Sequence, residues 1–226
     1  MEKINYEKAP IKNLINKDNH LRIMSEFLER KKDPVVLEFG VERGSSTKVF
    51  TWLAEQINGN IYSIDITDCS QVISSKSWHF FQSDDLKIEN ILERFPEIKN
   101  RGVDMIYIDS YHENHHVQKL LNLWFKYVKK EGAIFIDDVD SYKFRKKKDI
   151  WNSIVYDLTD EAIKSFYYSN IEKTFYTRYY GENGLAKLLK YTDLLDEPNQ
   201  INKLWNYNIF IKILYPYLRK ISKIFK

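Results

Sequence analysis

One cysteine, seven glycines and five prolines in 226 residues leave little with which to staple or sharply bend this chain. Cys69 has no second cysteine to pair with, so an internal disulfide is excluded and a reducing compartment fits. So few glycines exclude collagen-like and glycine-rich low-complexity architectures, and those present should mark backbone positions with special demands. No run of 18 apolar residues occurs, so no spanning helix is expected. Met1-Glu2-Lys3-Ile4-Asn5 carries charge but no apolar signal core, and the expectation is a cytoplasmic protein. Charge of one sign is scarce as well. Lys and Arg number 35 against 32 Asp and Glu, a balance that argues against a nucleic-acid partner.

What is present is globular composition, with 43% hydrophobic residues, enough for a packed core. The length suits one α/β domain with an extension. We divide the chain into an N-terminal helical segment (1–33), a main domain (34–192), and a linker with a basic tail (193–226). Leu21, Met24 and Leu28 recur at helical spacing, with Asp18 or Asn19 as the cap, and Pro34 ends that segment.

A strict alternation follows. Apolar runs at 35–39, 61–64, 78–81, 103–108 and 133–136 read as buried strands. Between them, residues 45–57, the stretch around Ile88 to Phe95, and Val117 to Val128 carry one-sided helical patterns. This rhythm predicts an α/β, Rossmann-like, doubly wound and mostly parallel sheet. The aromatic and Thr-rich stretch from Ser165 to Tyr180 reads as one or two late strands, a hairpin pattern.

Ligands in such sheets sit beyond the carboxyl ends of the strands. Those ends carry Glu38, Asp65, Asp84-Asp85, Asp109 and Asp137-Asp138. The first loop runs Glu38-Phe39-Gly40-Val41-Glu42-Arg43-Gly44-Ser45-Ser46-Thr47. Gly40 and Gly44 allow close backbone approach, and Ser45 to Thr47 open a helix whose N–H groups suit a carboxylate. Three residues separate the two glycines, which weakens a pyrophosphate fingerprint and an NAD reading. Asp65 ends the second strand, where an acid accepts both hydroxyls of a ribose. An amino-acid site beside a ribose acid suggests S-adenosylmethionine.

That loop resembles the first motif of class I S-adenosylmethionine-dependent methyltransferases. The branch it is most similar to holds catechol O-methyltransferase and the macrocin O-methyltransferase-like and cephalosporin-hydroxylase-like bacterial proteins. The resemblance spans about residues 34–140, with an echo at Gly181-Glu182-Asn183-Gly184-Leu185. It implies that Glu38 takes the methionyl amine and that Gly40, Gly44 and Ser46 line the methionine portion. It also implies ribose binding by Asp65, adenine contact near Asp84, and a cofactor-side place for Asp109. The segment from Ile108 to Val117 resembles the branch's fourth-strand motif, except that Ser110 stands for the usual Gly and Asn114 for the aromatic.

Asp109, Asp137 and Asp138 end adjacent strands in the expected order, and three such carboxylates repel unless a cation neutralises them. Oxygen ligands favour Mg²⁺ or another hard divalent ion. The resemblance implies the same trio as ligands, and His112 is the candidate general base. His112-Glu113-x-x-His116 also satisfies the H-E-x-x-H zinc-hydrolase pattern formally, but His112 falls just after a strand end instead of on a helix. His115 and His116 read as exposed helix residues.

The tail, residues 201–226, carries an amphipathic stripe with Lys and Arg on its other faces. Two readings stand: a helix packed on the core or on a dimer partner, and peripheral contact with a membrane surface. The resulting expectation is metal-assisted O-methylation of a small molecule or a sugar or glycan precursor. A hydroxylase-like relative and a non-catalytic binding module on the same fold are the alternatives.

Overall fold

Each short apolar run that ends in an acid forms a strand. The computed structural model describes residue 4 and residues 9–140, 150–181 and 183–200. Five parallel strands, β1 (Val35–Phe39), β2 (Asn60–Asp65), β3 (Trp78–Gln82), β4 (Val103–Ile108) and β5 (Val128–Asp137), are joined by β6 (Thr174–Tyr179) and β7 (Leu185–Lys190). The order is β3-β2-β1-β4-β5-β7-β6, with β7 antiparallel to both β5 and β6. The winding reverses between β1 and β4, which opens a crevice at their carboxyl ends.

Seven described helices cover the two faces: α1 (Lys12–Lys17), α2 (Asn19–Leu28), α3 (Ser45–Ile57), α4 (Ile88–Arg94), α5 (Pro96–Arg101), α6 (Asn114–Trp124) and α7 (Ile150–Ser169). Strand alternation divides the core. Val35, Leu37 and Phe39 face the side packed by α4 to α7, while Val36 joins Met24, Val49 and Phe50 on the side of α1 to α3. Every β1 residue is buried, so its continuous apolar run reflects helices on both faces. Asp18 caps α2, its carboxylate accepting from His20 N at 2.8 Å and Leu21 N at 3.1 Å.

Two expectations are corrected. Residues 165–169 belong to α7, not to a strand; the late hairpin is β6–β7 alone. Thr159, Ala162, Ile163 and Phe166 are buried at helical spacing, and that packing overrides the β-propensity of the neighbouring tyrosines. Asn170 ends the helix, its Nδ2 donating to Phe166 O at 2.9 Å. Val128, assigned by pattern to a helix, instead begins β5 after a 3₁₀ turn at Phe125–Tyr127 and pairs with Val103. The amphipathic tail, 201–226, lies outside the described residues. No helix among the described residues is long and apolar enough to cross a membrane.

Candidate active site

A cleft of about 1120 Å³ opens over the carboxyl ends of β1, β2 and β4. Its floor begins with the loop after β1. Gly40 has φ +93°, and a Cβ there would stand 2.1 Å from the carbonyl oxygen of Asp109. This glycine lets the β1 and β4 ends close together. Gly44 is the N-cap of α3 and does not line the cleft; its φ is +72°, and a Cβ would meet Val72 Cγ1 at 2.0 Å. It turns the chain into α3. No side chain caps α3, and Ser45 and Ser46 at its first turn line the cleft. That is the arrangement in which a helix N-terminus receives an anion.

Glu38 lies beneath this floor. It is fully buried and accepts hydrogen bonds from Ser46 Oγ at 2.6 Å, Thr47 Oγ1 at 2.8 Å and Ser63 Oγ at 2.6 Å. Burial pushes its carboxyl up to about 7 despite the three hydroxyl donors. Glu38 does not line the cleft, so the expected contact with a methionyl amine is not made from its present place. Its bonds tie β1, β2 and the start of α3 together under the site.

Asp65, at the end of β2, does face the cleft. One of its oxygens accepts from Val41 N at 2.8 Å and Glu42 N at 3.3 Å, and the other from Thr67 N at 2.8 Å. Burial opposes ionisation there, but these amide donors outweigh it and hold the carboxyl below its usual value. Beyond β3, the two neighbouring acids diverge. Asp84 is exposed and accepts from Leu86 N at 2.9 Å, whereas Asp85 is buried. Asp85 accepts from Ser110 Oγ at 2.6 Å and pairs with His116 Nε2 at 3.0 Å. Both acids line the cleft.

Asp109, Asp137 and Asp138 converge at the other end. Tyr107 Oη donates to Asp137 at 2.8 Å and to Asp109 at 3.2 Å. His112 Nε2 lies 3.4 Å from Asp109 Oδ1 and 3.6 Å from Asp138 Oδ2. Burial, then the neighbouring carboxylates, raise Asp109 and Asp138 against the opposing effect of His112. Burial likewise opposes ionisation of Asp137, but His20 and Tyr107 bring it below the usual range. Burial would depress His112, yet Asp109 and Asp138 outweigh it and hold the imidazole above its ordinary value. Asp138 adopts a left-handed backbone, φ +56°, and its N–H donates to Asp137 Oδ1 at 2.9 Å.

This all-oxygen donor set suits a hard divalent ion chemically. As the side chains stand, no three His, Cys, Asp or Glu groups among the described residues are spaced to hold a metal. The imidazole of His112 and the phenol of Tyr107 link the carboxylates instead.

The zinc-hydrolase reading is overturned by geometry. His112 precedes α6 and faces Asp109 and Asp138, while His116 sits within α6 and faces Asp85. His115 is exposed as expected, but the His116 side chain is only 12% exposed and takes part in the site. The sequence reading also missed His20, whose Nδ1 lies 3.3 Å from Asp137, and the bridging hydroxyl of Tyr107. No local pattern marks His20, since its partner is far along the chain.

Residues 37–139 match a family model described as a methyltransferase domain. The match lies within the stretch whose first loop resembles class I S-adenosylmethionine-dependent methyltransferases, and the chain is similar to that family over these residues. The domain's fold recurs in solved structures. A protein assigned as a caffeoyl-CoA O-methyltransferase from Staphylococcus aureus superposes with a TM-score of 0.60 at 16% identity, covering 82% of this chain and 94% of that one. The MycE methyltransferase of the mycinamycin biosynthetic pathway, in complex with Mg and SAH, gives 0.58 at 21% identity, covering 87% of this chain and 58% of that one. SAH-bound PaMTH1 from Podospora anserina gives 0.58 at 12% identity, covering 82% and 84%. This chain thus spans little more than half of MycE. No curated protein matches the sequence.

Proposed function

We propose that this methyltransferase transfers the sulfonium methyl of S-adenosylmethionine to a hydroxyl oxygen of a small molecule or a sugar or glycan precursor. The observation that carries the reading is Asp65, ionised at the end of β2 and facing the same cleft as the uncapped start of α3. Asp65 accepts the ribose hydroxyls, and the amides at Ser45 and Ser46 receive the methionyl carboxylate. The acids after β3, with His116, border the adenine. Gly40 keeps the floor flat enough for the methionine portion, and Asp109 receives its amine in place of the sealed Glu38.

The acceptor then lies towards Asp109, Asp137 and Asp138. These three residues would hold Mg²⁺, and the ion would supply a lowered pKa for the acceptor hydroxyl. His112, beside these carboxylates, takes the hydroxyl proton when its imidazole is in the neutral form. The oxygen attacks the methyl carbon as the C–S bond breaks, leaving S-adenosylhomocysteine and a protonated imidazole. MycE, crystallised with Mg, SAH and Mycinamycin VI, supports a metal-assisted small-molecule reaction by analogy of fold.

Calorimetric titration with S-adenosylhomocysteine tests the cofactor reading. Micromolar binding that Asp65→Ala weakens at least tenfold is the expected result. No heat of binding from either S-adenosylmethionine or S-adenosylhomocysteine to folded protein overturns it. An acceptor panel run with and without Mg²⁺ then tests the oxygen and metal assignments.

A further inference from the structure

The corner that follows β5 is gripped from outside the cleft. Arg178, on β6, donates from Nη2 to Val139 O at 2.8 Å and to Asp140 Oδ1 at 2.9 Å. Its other terminal nitrogen, Nη1, donates to Asp160 Oδ2 on α7 at 2.6 Å. The grip is nearly dry, with side-chain exposures of 14% for Arg178, 13% for Asp140 and 6% for Asp160. Tyr176 Oη donates to the second oxygen of Asp160 at 2.6 Å, and Lys164 pairs with the same carboxylate.

The β6–β7 turn closes on the corner as well. Asp140 N donates to Asn183 O at 2.6 Å, and Val139 N to Gly184 O at 3.4 Å. A Cβ on Gly184 would stand 2.4 Å from Asp140 Cβ, so the two backbones touch. The Asp138 carboxylate itself takes hydrogen bonds from Asn183 and Tyr156. Asp138 holds a left-handed φ of +56°, a conformation uncommon outside glycine and more open to Asp and Asn than to most residues.

We propose that Arg178 is a positioning residue: by clamping Val139 and Asp140 to α7, it sets the direction in which the Asp138 carboxylate enters the cleft. The role of Asp138 as a site carboxylate rests on the function proposed above, whereas the clamp itself does not. A guanidinium is the group for this task, because its planar fork reaches acceptors on two elements at once with fixed angles. An ammonium delivers the same charge from a single point. The buried fork also explains why two acids, Asp140 and Asp160, lie near one arginine without repelling the hairpin from α7.

The test compares wild type with Arg178→Lys and, as a second way of opening the clamp, Asp140→Ala. Three readouts are taken on each folded protein: amide hydrogen exchange across 137–140, affinity for Mn²⁺ alone, and affinity for S-adenosylhomocysteine. In Arg178→Lys, exchange at 138–140 is expected to rise at least tenfold while β1 and α3 keep their protection. Mn²⁺ affinity is expected to fall roughly 10- to 100-fold, the usual effect of losing a residue that orients a ligand. S-adenosylhomocysteine affinity should stay within about twofold of wild type, as expected for a change this remote from Asp65. Unchanged exchange at 138–140 overturns the proposal. So does a loss of all three readouts in step with global stability, or failure of both variants to fold, since each marks a purely structural arginine. If wild type binds no Mn²⁺, the metal assignment fails by itself, and the exchange readout alone decides the clamp.

Discussion

The imidazole of His20 stands 3.3 Å from the carboxylate of Asp137, joining α2 to the end of β5. The N-terminal helical segment is therefore a wall of the site, and Asp18 and Leu21 line the same cleft. His20 is 4% exposed, so its removal leaves Asp137 short of a partner in a buried place. His20→Ala is expected to cost about 1–3 kcal/mol at neutral pH, the range for an unsatisfied buried group. Asp137 titrates lower in the folded protein than in the unfolded chain. Its ionised bonds stabilise the fold above the ordinary carboxylate pKa and are lost as pH falls through the folded value. Urea denaturation from pH 7 downwards should show the variant and wild type converging in acid.

Glu38 gives the opposite sign. Its folded pKa is about 7 against an ordinary 4.5. Between those values the native state keeps a proton that the unfolded chain has released. The stability this contributes is full below 4.5 and is lost as pH rises through about 7, on the order of 3 kcal/mol in all. Glu38→Gln should flatten the stability profile in that window. An unchanged slope in the variant would show that another group carries the proton.

Lys190 carries a basic counterpart. It is fully buried, and its Nζ donates to the carbonyls of Phe125 at 3.2 Å, Lys126 at 3.4 Å and Val128 at 3.0 Å. Burial holds the ammonium down at about 8, against an ordinary 10.5. From about 8 to 10.5 the unfolded chain binds the proton and the native state does not, so stability should rise with pH across that window. Lys190→Met should lack this rise, and at pH 7 it should be destabilised by the loss of the three carbonyl bonds. Chemical denaturation at stepped alkaline pH is the check.

Two glycine substitutions separate binding from folding. Gly40→Ala places a methyl against the Asp109 backbone and forces β1 and β4 apart at the cleft. It should weaken S-adenosylhomocysteine binding at least tenfold and cost about 1–3 kcal/mol, as overpacking does. Gly59→Ala presses on Pro34 at 2.8 Å, at the opposite end of the sheet. It should lower the melting temperature and leave affinity alone. Equal affinities for the two variants would contradict the place given to Gly40.

The strands from Val35 to Ile108 and the helix from Ser45 to Ile57 are legible because burial on both faces leaves apolar runs that stop at an acid or a turn. The positions of Asp65, Asp109, Asp137 and Asp138 follow from the same punctuation. Glu38 shows the limit. A strand-end carboxylate looks available, and only the fold reveals Ser46, Thr47 and Ser63 consuming it from two other elements. The helix α7 was hidden for a related reason. Its tyrosines favour strands by themselves, and the stripe of Thr159, Ile163 and Phe166 acquires meaning only against the sheet it covers. His116, in the first turn of α6, likewise joins the site only because Asp85 arrives from the loop after β3.

The left-handed backbone at Asp138 makes the three carboxylates unequal as experimental handles. Asparagine tolerates that conformation better than other side chains and matches aspartate in shape. Asp138→Asn therefore removes one negative charge while the corner keeps its path. At Asp137, where the two oxygens receive Tyr107 and the Asp138 amide, an amide nitrogen would face a donor on one side or the other. Backbone path and charge can thus be separated at Asp138, where the side-chain donors Asn183 and Tyr156 are what an asparagine amide would have to accommodate.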